Sequence, residues 1–144
     1  MNYQEKPELK EFNRLFKELM DLYYEVGVKS GLSESAYDIL YALISMEDGC
    51  SQKEIADYYH TSRTTINSSL KKLEAQDYIY MSKGEGRNKR LYLTEKGERM
   101  AEQKIIPIME MEASVFEEMQ EGKKFLRLMA EYTRIYRKKV EQFS

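Results

Sequence analysis

The residues best placed to do chemistry in this 144-residue chain are hydrogen-bond donors and cations, not nucleophiles. Ser62, Arg63, Thr64, Thr65, Asn67, Ser68 and Ser69 stand almost side by side, with Lys71 and Lys72 just after them. Ser, Thr and Asn are poor formers of an exposed helix, so their clustering calls for a reason. Arg and Asn can pair with two atoms of a base edge in a DNA major groove, Ser and Thr mostly reach phosphates, and Lys brings a point charge to the backbone. A second basic group, Arg87, Lys89 and Arg90, follows Gly84-Glu85-Gly86. The two glycines allow a narrow tip, and a thin basic loop suits a minor groove, whose narrow stretches concentrate negative potential. Ser51 and Gln52, which open the preceding helix, complete the candidate DNA-contact set.

Several elements must position these groups. Pro7 suits a first helical turn, and Phe12, Leu15, Phe16, Leu19, Leu22, Tyr23 and Val26 then recur at helical spacing until Gly27 and Gly31 end the helix. A second helix starts near Ser33 or Ser35, carries Ile39, Leu40, Leu43 and Ile44 inward and stops at Gly49. Ser51-Gln52-Lys53-Glu54 is a capping box and opens a short helix with Ile55, Ala56 and Tyr59 on one side. Thr61 or Ser62 caps the next helix, whose apolar stripe is Ile66, Leu70 and Leu73. The period then changes to two: Ile79 and Met81, then Leu91 and Leu93, alternate with polar neighbours around the Gly84–Asn88 turn, which predicts a β-hairpin. Thr94 caps a long helix with Glu95 and Glu98 in its first turn, and Pro107 should kink or split it. Gly122 sets off a last helix with Phe125, Leu128, Met129, Tyr132, Ile135, Tyr136, Val140 and Phe143 on its apolar side.

A short helix, a tight turn, a polar-faced helix and a basic hairpin together make a winged helix. Charge distribution agrees with this reading. Net charge is −2 overall, yet residues 61–90 hold seven bases against three acids, a surplus of four. Other classes find little support. One Cys and one His cannot form a Cys/His zinc cluster or an internal disulfide, so no metal is expected and the cytoplasm is the default. Gly84 and Gly86 lack the further glycine and the strand-to-helix setting of a nucleotide loop, and no catalytic signature surrounds Cys50 or His60. No catalytic residue, cofactor, membrane span or signal peptide is expected. His60 is read as a turn residue beside DNA or a packed side chain, and Cys50 as a buried, inert thiol. The residues alone fit two functions, a DNA-binding regulator or a winged-helix protein-interaction module.

Residues 35–100 resemble the MarR family of bacterial transcription regulators. The features that carry the resemblance are Glu54-Ile55-Ala56, Ser62 through Leu73 with Glu74, Tyr78-Ile79, and the wing Glu85-Gly86-Arg87 leading to Leu91-Tyr92-Leu93-Thr94-Glu95-Lys96-Gly97. Three departures stand out: Ser68 and Met81 replace frequent arginines, and Asp77 replaces a frequent glycine at a helix end, where Asp can adopt the left-handed conformation at some cost. The resemblance implies a mainly α fold with a small β-hairpin wing, divided into an N-terminal dimerisation helix (1–34), a winged helix-turn-helix (35–98) and C-terminal dimerisation helices (99–144). It implies a homodimer joined by the first and last helices, which the stripes at Phe12, Phe16, Leu19 and Tyr23 and at Phe125, Leu128, Tyr132, Ile135 and Tyr136 suit. Such a dimer would bind double-stranded DNA at a pseudo-palindrome, as a repressor released by a small aromatic or phenolic effector. Tyr23, Tyr24, Tyr37, Tyr41, Tyr58 and Tyr59 either line an aromatic ligand pocket between dimer helices and winged helix or form an ordinary core.

Overall fold

The computed structural model describes residues 1–47, 49–59, 61–82 and 89–144. Two compact units divide the chain, Met1–Ile106 and Pro107–Ser144.

The first unit begins with α1 (Pro7–Lys29), which has Pro at its first turn. It runs through Gly27 rather than ending there, and only Gly31, at φ +73°, turns the chain. Ser33 caps α2 (Glu34–Ser45) by accepting from the Ala36 N–H. That helix stops short of Gly49, because Glu47 takes the left-handed conformation itself, at φ +61°. Two residues, Cys50 and Ser51, form β1, a strand too short to leave an alternating pattern in the sequence. The capping box then forms as read: the Ser51 N–H donates to Glu54 Oε2 at 2.6 Å and the Glu54 N–H to Ser51 Oγ at 3.2 Å, starting α3 (Gln52–Tyr59). Glu54 accepts that backbone hydrogen bond, which lowers its pKa below the ordinary carboxylate value.

Ser62 caps α4 (Arg63–Ala75) through the Thr65 N–H. The helix ends in a Schellman motif: the Asp77 N–H donates to the Glu74 carbonyl and the Tyr78 N–H to the Leu73 carbonyl, with Asp77 at φ +62°. The hairpin follows as β2 (Ile79–Met81) and β3 (Arg90–Leu93), paired Ile79 to Leu93 and Met81 to Leu91. β1 adds to the far edge of β3, so the antiparallel sheet has the order β1-β3-β2. One core joins the helices to this sheet, with Ile39, Leu43, Ile55, Ile66, Leu70, Ile79 and Leu91 at or near full burial. Thr94 caps α5 (Glu95–Lys104), and the break at Ile105 ahead of Pro107 splits the long helix as the proline requires.

The second unit holds nearly all of α6 (Ile106–Glu118) and all of α7 (Gly122–Gln142). No residue of α1, α6 or α7 is buried. Phe12, Phe16, Leu19 and Tyr23 on α1, and Phe125, Leu128, Tyr132, Ile135 and Tyr136 on α7, are each 39–59% exposed. Among the described residues, no helix is long and apolar enough to cross a membrane.

Candidate nucleic-acid interface

Burial along α4 follows the helical period. Ile66, Ser69, Leu70 and Leu73 face the core. At about 100° per residue, the opposite row is Thr64, Ser68 and Lys71, with Ala75 at its end. These four are exposed, as are Arg63, Thr65 and Lys72 on the flanks. Two residues of the polar cluster differ from the sequence reading. Ser69 is 8% exposed and its hydroxyl donates to the Thr65 carbonyl at 3.3 Å, so it serves the helix and not an outer surface. Asn67 is half-buried on the flank. The 3.6-residue period, applied strictly, separates these two from Thr64 and Ser68.

Cations around α4, and Lys89 just before β3, are open to a ligand. Arg63, Lys71, Lys72 and Lys89 are exposed, and none pairs with a described acid. Hydroxyls serve double duty. Ser62 Oγ holds the N-terminus of α4 and also lies 2.8 Å from Thr65 Oγ1, and Ser68 Oγ donates back to the Thr64 carbonyl at 3.2 Å. Each hydroxyl oxygen keeps lone pairs for an outside donor.

Three side chains from the sequence reading hold the interface together. Gln52 Nε2 donates to the Arg63 carbonyl at 3.0 Å, tying the first residue of α3 to the first residue of α4. Ser51 is committed to the capping box. Arg90 Nη1 donates to the Gly49 carbonyl at 2.6 Å, so this guanidinium ties β3 to the segment before α3. Strand pairing could not show that link, because β1 itself was not legible. Arg87 and the turn Gly84–Asn88 lie outside the described residues, as does His60, while Lys89 and Arg90 mark the start of the returning strand. Cys50 is 5% exposed in the core, as expected of a packing thiol.

A latch below the wing explains the Leu93-Thr94-Glu95-Lys96-Gly97 segment. Thr94 Oγ1 accepts from the Gly97 N–H at 3.0 Å and donates to the Asp77 carbonyl at 2.5 Å, and the Thr94 N–H donates to the Tyr78 carbonyl at 3.1 Å. Lys96 Nζ caps the C-terminal turn of α4 at the Gln76 carbonyl, 2.7 Å away, and sits 4.5 Å from the Tyr78 ring centre. The start of α5 is therefore clamped to the end of α4 and the base of the hairpin.

No histidine, cysteine, aspartate or glutamate group among the described residues has the arrangement of a metal site. Comparison with known proteins agrees with the geometry. Residues 30–88 match the model of the MarR family. No curated protein matches the chain by sequence. Among solved structures, a MarR family regulator from Neisseria meningitidis superposes with a TM-score of 0.79 at 21% identity, over 95% of this chain and 99% of that one. The Mycobacterium tuberculosis transcriptional regulator MosR in complex with DNA superposes at 0.58 and 20% identity, over 92% and 97%. Staphylococcus aureus MarR in complex with salicylate and kanamycin superposes at 0.66 and 18% identity, over 90% of each chain. At these identities the likeness is one of fold: a mainly α winged helix-turn-helix with long terminal helices.

Proposed function

With a MarR-family match over residues 30–88 and the fold of that family's regulators over nearly the whole chain, we propose that this protein regulates transcription as a DNA-binding homodimer. The observation that carries the reading is the outward row of α4, where Thr64, Ser68 and Lys71 stand exposed between Arg63, Thr65 and Lys72 while the opposite side is locked into the core. An α-helix of this kind enters a major groove, its N-terminal residues against base edges and its lysines against the backbone. Arg63, Thr64 and Ser68 then read bases, with Asn67 reaching from the flank. Lys71, Lys72, Lys89 and Arg87 contact phosphate and minor groove, and Ser51, Gln52, Ser62 and Arg90 set the geometry and contribute backbone contacts.

The exposed stripes of α1 and α7 support dimerisation through residues 1–34 and 99–144, leaving 35–98 to bind DNA. An exposed apolar stripe of this length on each helix is what a soluble chain would be expected to cover with a partner. Two-fold symmetry then calls for a pseudo-palindromic operator with half-sites about one helical turn apart. In this reading the protein is a cytoplasmic repressor that a small aromatic effector releases from DNA, by binding one spacing of the two recognition helices better than another. Solved proteins of the same fold carry DNA or small molecules, which is the precedent for both parts.

The experiment is selection of genomic DNA on the purified protein, followed by sequencing and a mobility-shift titration. A shared pseudo-palindrome bound in a salt-dependent manner supports the proposal. Retention of no DNA above background at low salt would overturn it in favour of a protein-interaction module.

A further inference from the structure

One half-buried carboxylate has no counterpart in the DNA-binding account. Asp38 lies on α2 beside Tyr37 and one turn before Tyr41, and Tyr58 and Tyr59 end α3. Asp38, Tyr37, Tyr41 and Tyr59 are all half-buried. The rings associate in two pairs: Tyr37 and Tyr41 with centres 5.9 Å apart, Tyr58 and Tyr59 edge to face at 4.9 Å. The helices that carry the two pairs, α2 and α3, pack against one another, and burial first, then the Asp38 charge and the phenols of Tyr58, Tyr41 and Tyr37, push the Tyr59 hydroxyl up.

Among the described residues, none gives Asp38 a hydrogen bond or an opposite charge. Its neighbours one turn away on α2 are Glu34, Ser35, Tyr41 and Ala42, so its own helix supplies no base. Elsewhere the chain places Lys or Arg three or four positions from an acid, as at Glu11–Arg14, Asp21–Lys17, Glu25–Lys29 and Asp57–Lys53. Burial, and then Glu34, push the Asp38 carboxyl above its ordinary range. A partly desolvated carboxylate that no described residue pairs is costly, and aromatic rings near such a charge add to the stabilisation of a cation.

We infer that the Asp38–tyrosine cluster of α2 and α3 binds an organic ammonium cation, its positive head against Asp38 and its apolar groups against the rings of Tyr37, Tyr41, Tyr58 and Tyr59. An aromatic acid is the wrong ligand here, since Asp38 and Glu34 repel it. A bare metal ion is also wrong, since one carboxylate and neutral phenols are too few hard donors. This sharpens the effector of the regulator reading to a cation, and it rests on that reading only for what binding does to DNA.

The probe is benzyltrimethylammonium, titrated into the DNA-free protein by calorimetry and by tyrosine fluorescence, which is unobstructed because the chain has 12 Tyr and no Trp. Saturation at or below about 1 mM is expected, with neither benzoate nor benzyl alcohol competing. Asp38→Asn should weaken binding by about tenfold or more, Tyr59→Ala by about fivefold, and Tyr59→Phe, which keeps the ring, by less than about threefold. Circular dichroism and urea denaturation without the cation show that each variant is folded. Equal affinity for wild type and Asp38→Asn, equal competition by benzoate, or no saturation by about 10 mM would overturn the inference. DNA retention in the absence of cation tests the regulator reading separately, so either can fail alone.

Discussion

Gly97→Ala makes a sharp test because its sign runs against helix propensity. In an exposed helix interior, Gly→Ala stabilises by about 1 kcal/mol. At Gly97 a Cβ would fall 1.9 Å from the Tyr78 carbonyl oxygen, 2.9 Å from its carbon and 3.3 Å from Leu93 Cδ2. A carbon needs roughly 3.3 Å from a carbonyl oxygen, so α5 and the start of β2 must part by more than about 1 Å. Backbone, not a flexible side-chain end, stands in the way. A movement of that size would break the 3.1 Å Thr94–Tyr78 backbone hydrogen bond and strain the Thr94 links to Gly97 and Asp77. One lost hydrogen bond costs about 1 kcal/mol and overpacking about 1–3. Net destabilisation of about 1–3 kcal/mol is expected once the propensity gain is subtracted. The assay is urea denaturation followed by circular dichroism. Gly27→Ala is the internal control, because a Cβ there meets nothing within 4 Å inside α1, so the same chemical change should stabilise by about 0.5–1 kcal/mol. A neutral or stabilising Gly97→Ala would refute the clamp between α5 and the hairpin.

Four further outcomes follow from named contacts and exposed faces. Asp77 holds a left-handed φ of +62° in the Schellman turn, so Asp77→Gly should raise stability by about 1 kcal/mol in the same denaturation assay. Ser51→Ala and Glu54→Ala should each cost about 1 kcal/mol, because each removes one of the two side-chain acceptors of the capping box and leaves a backbone N–H without its partner. Since folding lowers the Glu54 pKa, its contribution is present above the ordinary glutamate range and fades as pH falls through the folded-state value. Glu54→Ala should therefore narrow the stability difference between neutral and acid pH relative to wild type. Leu19→Glu or Ile135→Glu, on exposed apolar stripes, should convert a dimer to monomer in light scattering while leaving the helical content unchanged; an unaltered mass would remove those stripes from the interface.

Much of this architecture was legible because it rests on short-range rules. The capping box at Ser51, the Ser62 and Thr94 caps, the period change at Ile79 and the break before Pro107 each depend on residues within a few positions of one another. What was not legible depends on distant partners. β1 exists only because β3 offers Cys50 and Ser51 an edge, and Arg90 becomes a tether only once that strand places the Gly49 carbonyl beside it. That Gln52 ties α3 to α4 shows only once the turn brings Arg63 against it. The end of α2 was misplaced because glycine is the usual left-handed residue, whereas here Glu47 adopts that conformation first. Ser69 shows a finer limit: composition marks it as part of a polar face, and only its phase on the helix turns it inward.

The central claim, that α4 docks on duplex DNA through its outward row, is tested most directly by the salt dependence of operator binding for wild type and for Lys71→Ala with Lys72→Ala. Both lysines are exposed and pair with no described acid. If each contacts one phosphate per protomer, the double variant of a dimer loses four contacts, and the slope of log affinity against log salt should flatten by about 3.6. Circular dichroism should stay that of wild type, because neither side chain supports the core. An unchanged slope and affinity in the folded double variant would contradict the claim and move DNA, if it binds at all, to another face.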